Sequence, residues 1–133
     1  MKKLLRARAS YTGLAVATIV IGLWIHRGGL SFGPALRDIA GDALWAMMIA
    51  WWVGAAFPSA RLLPRSTAAI AICFCVELSQ LAHTPTLDAI RRTTAGRLVL
   101  GSGFDPRDFA AYALGVLAAA VLEWWWVRRR QPL

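Results

Sequence analysis

Glu77 stands inside the apolar run 67–82, and Gln80 follows it at i+3. On a helix that spacing puts an acid and an amide on one face, within reach of each other. An ionisable group in hydrocarbon costs about 3 kcal/mol even on mild insertion scales, so it marks either a functional site or a polar staple between helices. Downstream, Asp108, Tyr112, Gly115 and Ala119 recur at i, i+4, i+7 and i+11, one stripe of one helix face. The small pair lets a neighbouring helix approach closely, and Asp108 and Tyr112 then face that neighbour. Asp42 opens another apolar run, and Arg37, Arg91 and Arg92 are the nearest fixed positive charges. If these groups meet at one depth, Arg37, Arg91 and Arg92 can hold a phosphate. Glu77, Gln80 and Asp108 can orient polar groups, with Glu77 and Asp108 the candidate acid or base and Asp42 and Tyr112 completing the wall.

The elements that must position these residues are transmembrane helices. Of the 133 residues 58% are hydrophobic, seven are Trp, and the mean hydropathy is +0.52. Those values exceed what a soluble domain of this size carries. The net charge of +8 is distributed in clusters that flank apolar runs, the pattern of topology signals and headgroup contacts and not of nucleic-acid binding. Four spans follow, at about 11–25, 39–57, 67–82 and 109–127. The expected fold is all-α: one domain over residues 1–133, a four-helix transmembrane bundle with a short interfacial helix between spans three and four. Spans one and three are short, so Arg6, Arg8 and Arg65 are expected to snorkel to the interface. The segment at the end of span one, Gly22 to Arg27, offers no small-residue cleavage site, so the first span reads as a retained helix.

With both termini in the cytoplasm, nine Lys and Arg lie inside: Lys2, Lys3, Arg6, Arg8, Arg61, Arg65, Arg128, Arg129 and Arg130. Six lie outside: Arg27, Arg37, Arg91, Arg92, Arg97 and Arg107. The positive-inside rule favours this orientation. Five Asp (Asp38, Asp42, Asp88, Asp105 and Asp108) then gather in or beside the two outer loops, leaving Glu123 near the inner face.

The long connection between spans three and four predicts a helix over 85–94, with Thr84 as N-cap, Pro85 at N1, and Asp88 able to pair with Arg91 or Arg92. The segment 98–104 contains Gly101-Ser102-Gly103, too short and in the wrong context for a phosphate-binding fingerprint, and reads as a turn or re-entrant backbone. Asp105 as N-cap, Pro106 at N1 and Asp108 at N3 make a good start for span four.

The pattern Glu77-x-x-Gln80, Arg91 in a polar connection, then Asp108-x-x-x-Tyr112-x-x-Gly115 resembles the signature of VanZ-like membrane proteins. The fuller string of Gly41-Asp42-x-Leu44-Trp45, Leu87-Asp88-x-Ile90-Arg91-x-Thr93 and Leu100 to Phe104 is closer still to a domain-of-unknown-function family of small bacterial membrane proteins related to that group. The resemblance covers about residues 25 to 117. It implies a four-helix protein of the bacterial inner membrane, and some VanZ-like members are linked to glycopeptide-antibiotic resistance. Tyr112 stands where the VanZ-like pattern has Asn, so a role resting on that amide does not transfer.

Other chemistry is sparse. Cys73 and Cys75 point to different helix faces without metal-spaced partners and read as packing residues. His26 and His83 fall at span ends, where interfacial polar residues are ordinary. No metal site, cofactor motif, catalytic Ser-His-Asp spacing or nucleotide loop is expected. The leading expectation is therefore an outer-leaflet polar site that binds or handles an anionic lipid or lipid-linked envelope intermediate, with membrane lipids as partners. The alternative is a non-catalytic accessory subunit that stabilises a larger membrane complex, and a third reading is proton or ion passage through Glu77. If the network only supports the fold, Glu77→Gln should be nearly harmless.

The charge distribution makes a direct prediction. Reporter fusions at either terminus should give cytoplasmic signal, and a reporter inserted after Gly101 should give the opposite. Periplasmic signal from either terminus would reverse the assignment.

Overall fold

The protein is described by a computed structural model covering residues 1–31, 33–101 and 103–130, with residues 127–130 as backbone only. Ser102 of the Gly-Ser-Gly turn and the side chains of Arg128, Arg129 and Arg130 thus lie outside the described residues. Among those described, all regular structure is helical: α1 Lys2–His26, α2 Pro34–Ala56, α3 Leu62–Ser79, α4 Pro85–Arg92, α5 Thr94–Leu100 and α6 Asp108–Arg130. Helices α1, α2, α3 and α6 are long and apolar enough to cross a membrane, so the chain is a multi-pass membrane protein. Even α3, with 18 residues, extends about 27 Å.

The first three spans begin earlier than their apolar runs suggest. Lys, Arg and Leu are strong helix formers, so α1 continues back to Lys2 and α3 to Leu62. Pro34 at N1 starts α2, five residues before the apolar run. At its other end α3 stops at Ser79, short of Ala82. The connection holds two short helices instead of one. Thr84 caps α4 by accepting from the Leu87 N–H at 3.2 Å, as its position predicts. Thr93 then breaks the helix with extended backbone and caps α5, accepting from the Gly96 N–H at 2.9 Å. Leu98 to Leu100 are therefore helical and not part of a turn, which begins at Gly101 with φ +72°. Asp105 organises the approach to α6 as an Asx turn, its Oδ1 accepting from the Arg107 N–H at 2.9 Å, and the helix proper starts at Asp108.

Helix α2 is the hub: α1 packs on it from one side, and α3 and α6 from the other, while α3 also packs on α6. Two buried clusters result. Ala46, Val53, Ala69, Cys73, Tyr112 and Val116 join α2, α3 and α6, whereas Tyr11, Ala15, Trp51 and Ala119 join α1, α2 and α6. The interior is rich in Ala because helices in lipid gain by close approach and not by burying large side chains, which stay on the lipid face at positions such as Val20, Leu114, Leu117 and Val121. Gly115 shows the limit of this approach. A Cβ there would lie 2.0 Å from the Ala43 carbonyl oxygen, so the small stripe on α6 does admit a neighbouring helix, and that neighbour is α2.

Arg65 does not snorkel. It is 7% exposed and forms an ion pair with Glu123 of α6, whose Oε1 also accepts from the Tyr11 hydroxyl at 2.9 Å. The guanidinium lies 5.1 Å from the centre of the Tyr11 ring. A buried acid on α6 at the same level makes pairing cheaper than reaching for the interface, and the trio ties α1, α3 and α6 together at the end of the bundle that carries the termini.

Breaking one member of this trio strands a buried charge. Arg65→Met or Glu123→Leu should each lower stability by about 3 kcal/mol, whereas the double substitution should recover much of the loss. Thermal unfolding in detergent of the three variants checks this; two single losses that simply add would refute a coupled pair.

Candidate functional site

Glu77 sits in the last turn of α3 and is fully buried. Its Oε2 accepts from Gln80 Nε2 at 3.0 Å and from the Tyr112 hydroxyl at 2.8 Å. Its Oε1 accepts from the backbone N–H of Asp105 at 2.8 Å. The i+3 pairing with Gln80 is as the spacing predicts, and Tyr112 arrives from α6 because Asp108, Tyr112 and Gly115 share the face turned toward α2 and α3. The backbone donor from Asp105 has no counterpart in sequence. All three partners are donors, so Glu77 acts as acceptor throughout.

This geometry changes the expectation for Glu77→Gln. An amide offers one acceptor oxygen where the carboxylate uses two, so the substitution turns an N–H₂ group toward a donor and costs about 2 kcal/mol.

Around Glu77 the chain closes over the bundle end. Aromatic contacts back the network, with Trp45 on Tyr112 at 5.5 Å and Phe109 edge-on to Phe74 at 4.6 Å. Gly101 lies against the Gln80 amide so closely that a Cβ would meet Nε2 at 2.4 Å, and its positive φ independently calls for glycine. Arg91 is buried, yet no hydrogen bond joins it to Glu77. Its two terminal nitrogens donate to the carbonyls of Ala82 at 2.8 Å and Ser79 at 2.7 Å, capping the end of α3. Asp88 Oδ1 lies 3.6 Å from Arg91, and the same oxygen lies 3.4 Å from Nδ1 of His83.

Two adjoining cavities open here, sharing Gln80, Arg97 and Gly103 on their walls. One is a cleft of about 380 Å³ formed by the connection, where Arg91, Arg92, Arg97 and His83 face a single carboxylate, Asp88. The other is a chamber of about 460 Å³ between α1, α2, α5 and α6. Asp38, Asp42, Asp105 and Asp108 line it together with Arg37, Arg97, His26 and Tyr112. Asp42 from α2 and Asp108 from the start of α6 thus share one chamber.

Of the residues singled out in the sequence, Asp42, Gln80, Arg37, Asp108 and Tyr112 line the chamber, while Gln80, Arg91 and Arg92 line the cleft. Glu77 lines neither; it stands behind both and holds Gln80 and Tyr112. Arg37 and Arg91 thus belong to different cavities. Sequence reasoning did not select Arg97, Asp38, Asp105 or His26. Arg97 carried a usable signal, since an Arg two turns beyond Arg91 in the same polar connection can converge on it. Among the described residues no group of three or more His, Cys, Asp or Glu is placed to hold a metal ion.

A family model described as a protein of unknown function (DUF2809) matches residues 33–116. No solved structure matches the chain. The matched stretch runs from the start of α2 into α6 and contains every polar residue named in this site except His26, and it is well over half the chain. This membrane-spanning chain belongs to the family described as proteins of unknown function (DUF2809).

Proposed function

We propose that this end of the bundle binds the phosphorylated headgroup of a membrane lipid or lipid-linked envelope intermediate. The observation that carries the reading is the cleft, where three guanidinium groups from one connection face one carboxylate in a space of about 380 Å³. Arginine is suited to phosphate because its planar donors match two phosphate oxygens at once. Arg91 is already immobilised by two carbonyls, so little side-chain entropy remains to be lost on binding. Asp108, at the chamber wall, is the group placed to exchange a proton with a ligand, and Glu77 acts through Gln80 and Tyr112. The residue spacing supports kinship with VanZ-like proteins, and with it a bacterial inner-membrane location with both termini cytoplasmic and this site on the outer leaflet.

Arg92 is exposed and its substitution leaves the buried network intact. Arg92→Gln and Arg97→Gln should each weaken retention of phosphatidic acid in detergent by roughly tenfold, about the worth of one charge-assisted contact. Their melting curves should match the unaltered protein, whereas Glu77→Gln should lower the melting temperature. Undiminished phosphate-lipid retention in the Arg92 and Arg97 variants would favour the accessory-subunit reading.

A further inference from the structure

The chamber beside the cleft has the opposite charge balance, and that contrast specifies the ligand further. Four carboxyl groups, from Asp38, Asp42, Asp105 and Asp108, face two guanidinium groups. Gln80, 4% exposed and standing on the wall common to both cavities, has an Oε1 that accepts no hydrogen bond among the described residues. A buried carbonyl without a donor is costly, so a ligand that brings N–H groups is favoured there. Its neighbour Nε2 is committed to Glu77, which fixes the amide with its oxygen as the available end.

We infer that the site takes a phosphoester carrying an ammonium group, phosphate in the Arg91, Arg92 and Arg97 cleft and ammonium in the aspartate chamber against Gln80. This rests on the phosphate-headgroup reading above and narrows it to the aminophospholipid class. A headgroup of this kind places its two charges a short linker apart, and the two cavities meet at Gln80, Arg97 and Gly103, so one molecule can engage both. A purely anionic headgroup would satisfy the cleft while bringing no donor to the chamber or to the Gln80 oxygen. Charge-matching at both poles makes this a device for selecting among phospholipids, with the mismatch of the wrong headgroup doing as much as the attraction of the right one.

The test is native mass spectrometry of the full chain released from detergent containing equal amounts of dioleoyl phosphatidylethanolamine and dioleoyl phosphatidylglycerol. The expected result is an ethanolamine-lipid adduct favoured by about tenfold, the effect of one modest ion pair. Asp42→Asn should abolish that preference. Asp38→Asn, at the exposed start of α2 where folding is not at stake, should reduce it, and Arg92→Gln should lower both adducts alike. Equal adducts, or a preference for the glycerol lipid, would overturn the ammonium site while leaving the phosphate cleft standing. A preference unchanged in both Asp variants would also overturn it. Absence of both adducts would overturn the phosphate reading itself. Adding soluble glycerophosphoethanolamine distinguishes the source: displacement of the lipid assigns the site to a free headgroup, retention to the membrane lipid, and both outcomes support the paired chemistry.

Discussion

A carboxylate held out of water must find its hydrogen-bond donors inside the protein, and Glu77 finds three on three separate segments. Gln80 comes from the end of its own helix, Tyr112 from α6, and the Asp105 N–H from the connection that crosses between them. The rest of this end of the molecule is arranged by that requirement. It draws the connection over the bundle, brings Gly101 against Gln80, and sets the start of α6 beside α2, where Asp108 and Asp42 line one chamber.

The bundle contains a second buried acid, Glu123, and satisfies it differently, with the guanidinium of Arg65 and the Tyr11 hydroxyl. The comparison explains what each end can do. At the terminal end the cation is spent on neutralising the acid, and the product is a staple. Around Glu77 the donors carry no formal charge, so the arginines of the connection remain available to face a cavity. Arg91 in particular is anchored through carbonyl groups that the early end of α3 leaves exposed, and its positive charge stays uncancelled by Glu77.

Much of this was readable in the chain. The i+3 relation of Glu77 and Gln80 needs only helix geometry, and the stripe of Asp108, Tyr112, Gly115 and Ala119 shows which face of α6 turns inward. Thr84 announced its helix through ordinary capping chemistry. What could not be read was partnership between distant segments. Arg65 and Glu123 are 58 positions apart, and nothing local says that α3 and α6 meet at that level. A backbone donor such as the Asp105 N–H is common to every residue and leaves no mark in sequence. The helix starts were misjudged for a different reason: the apolar run measures the hydrocarbon, whereas the helix continues into basic residues that favour it just as well. The division of the arginines between two cavities depends on where the connection bends, at Thr93 and Gly101, and only Gly101 hinted at this.

The attachment of α1 has a mechanical consequence. Among the described residues this helix packs chiefly on α2, and Tyr11 and Ala15 in its first half join it to α6, with Tyr11 reaching the Arg65–Glu123 pair. The aspartate chamber lies toward the other end of the helix, beside Gly22, Leu23 and His26. At about 1.5 Å per residue the stretch from Tyr11 to His26 is about 22 Å long, so a tilt of about 5° about Tyr11 would shift the His26 end by roughly 2 Å. Such a tilt would move one wall of the chamber, whereas the Glu77 network and the arginine cleft contain no residue of α1 among those described.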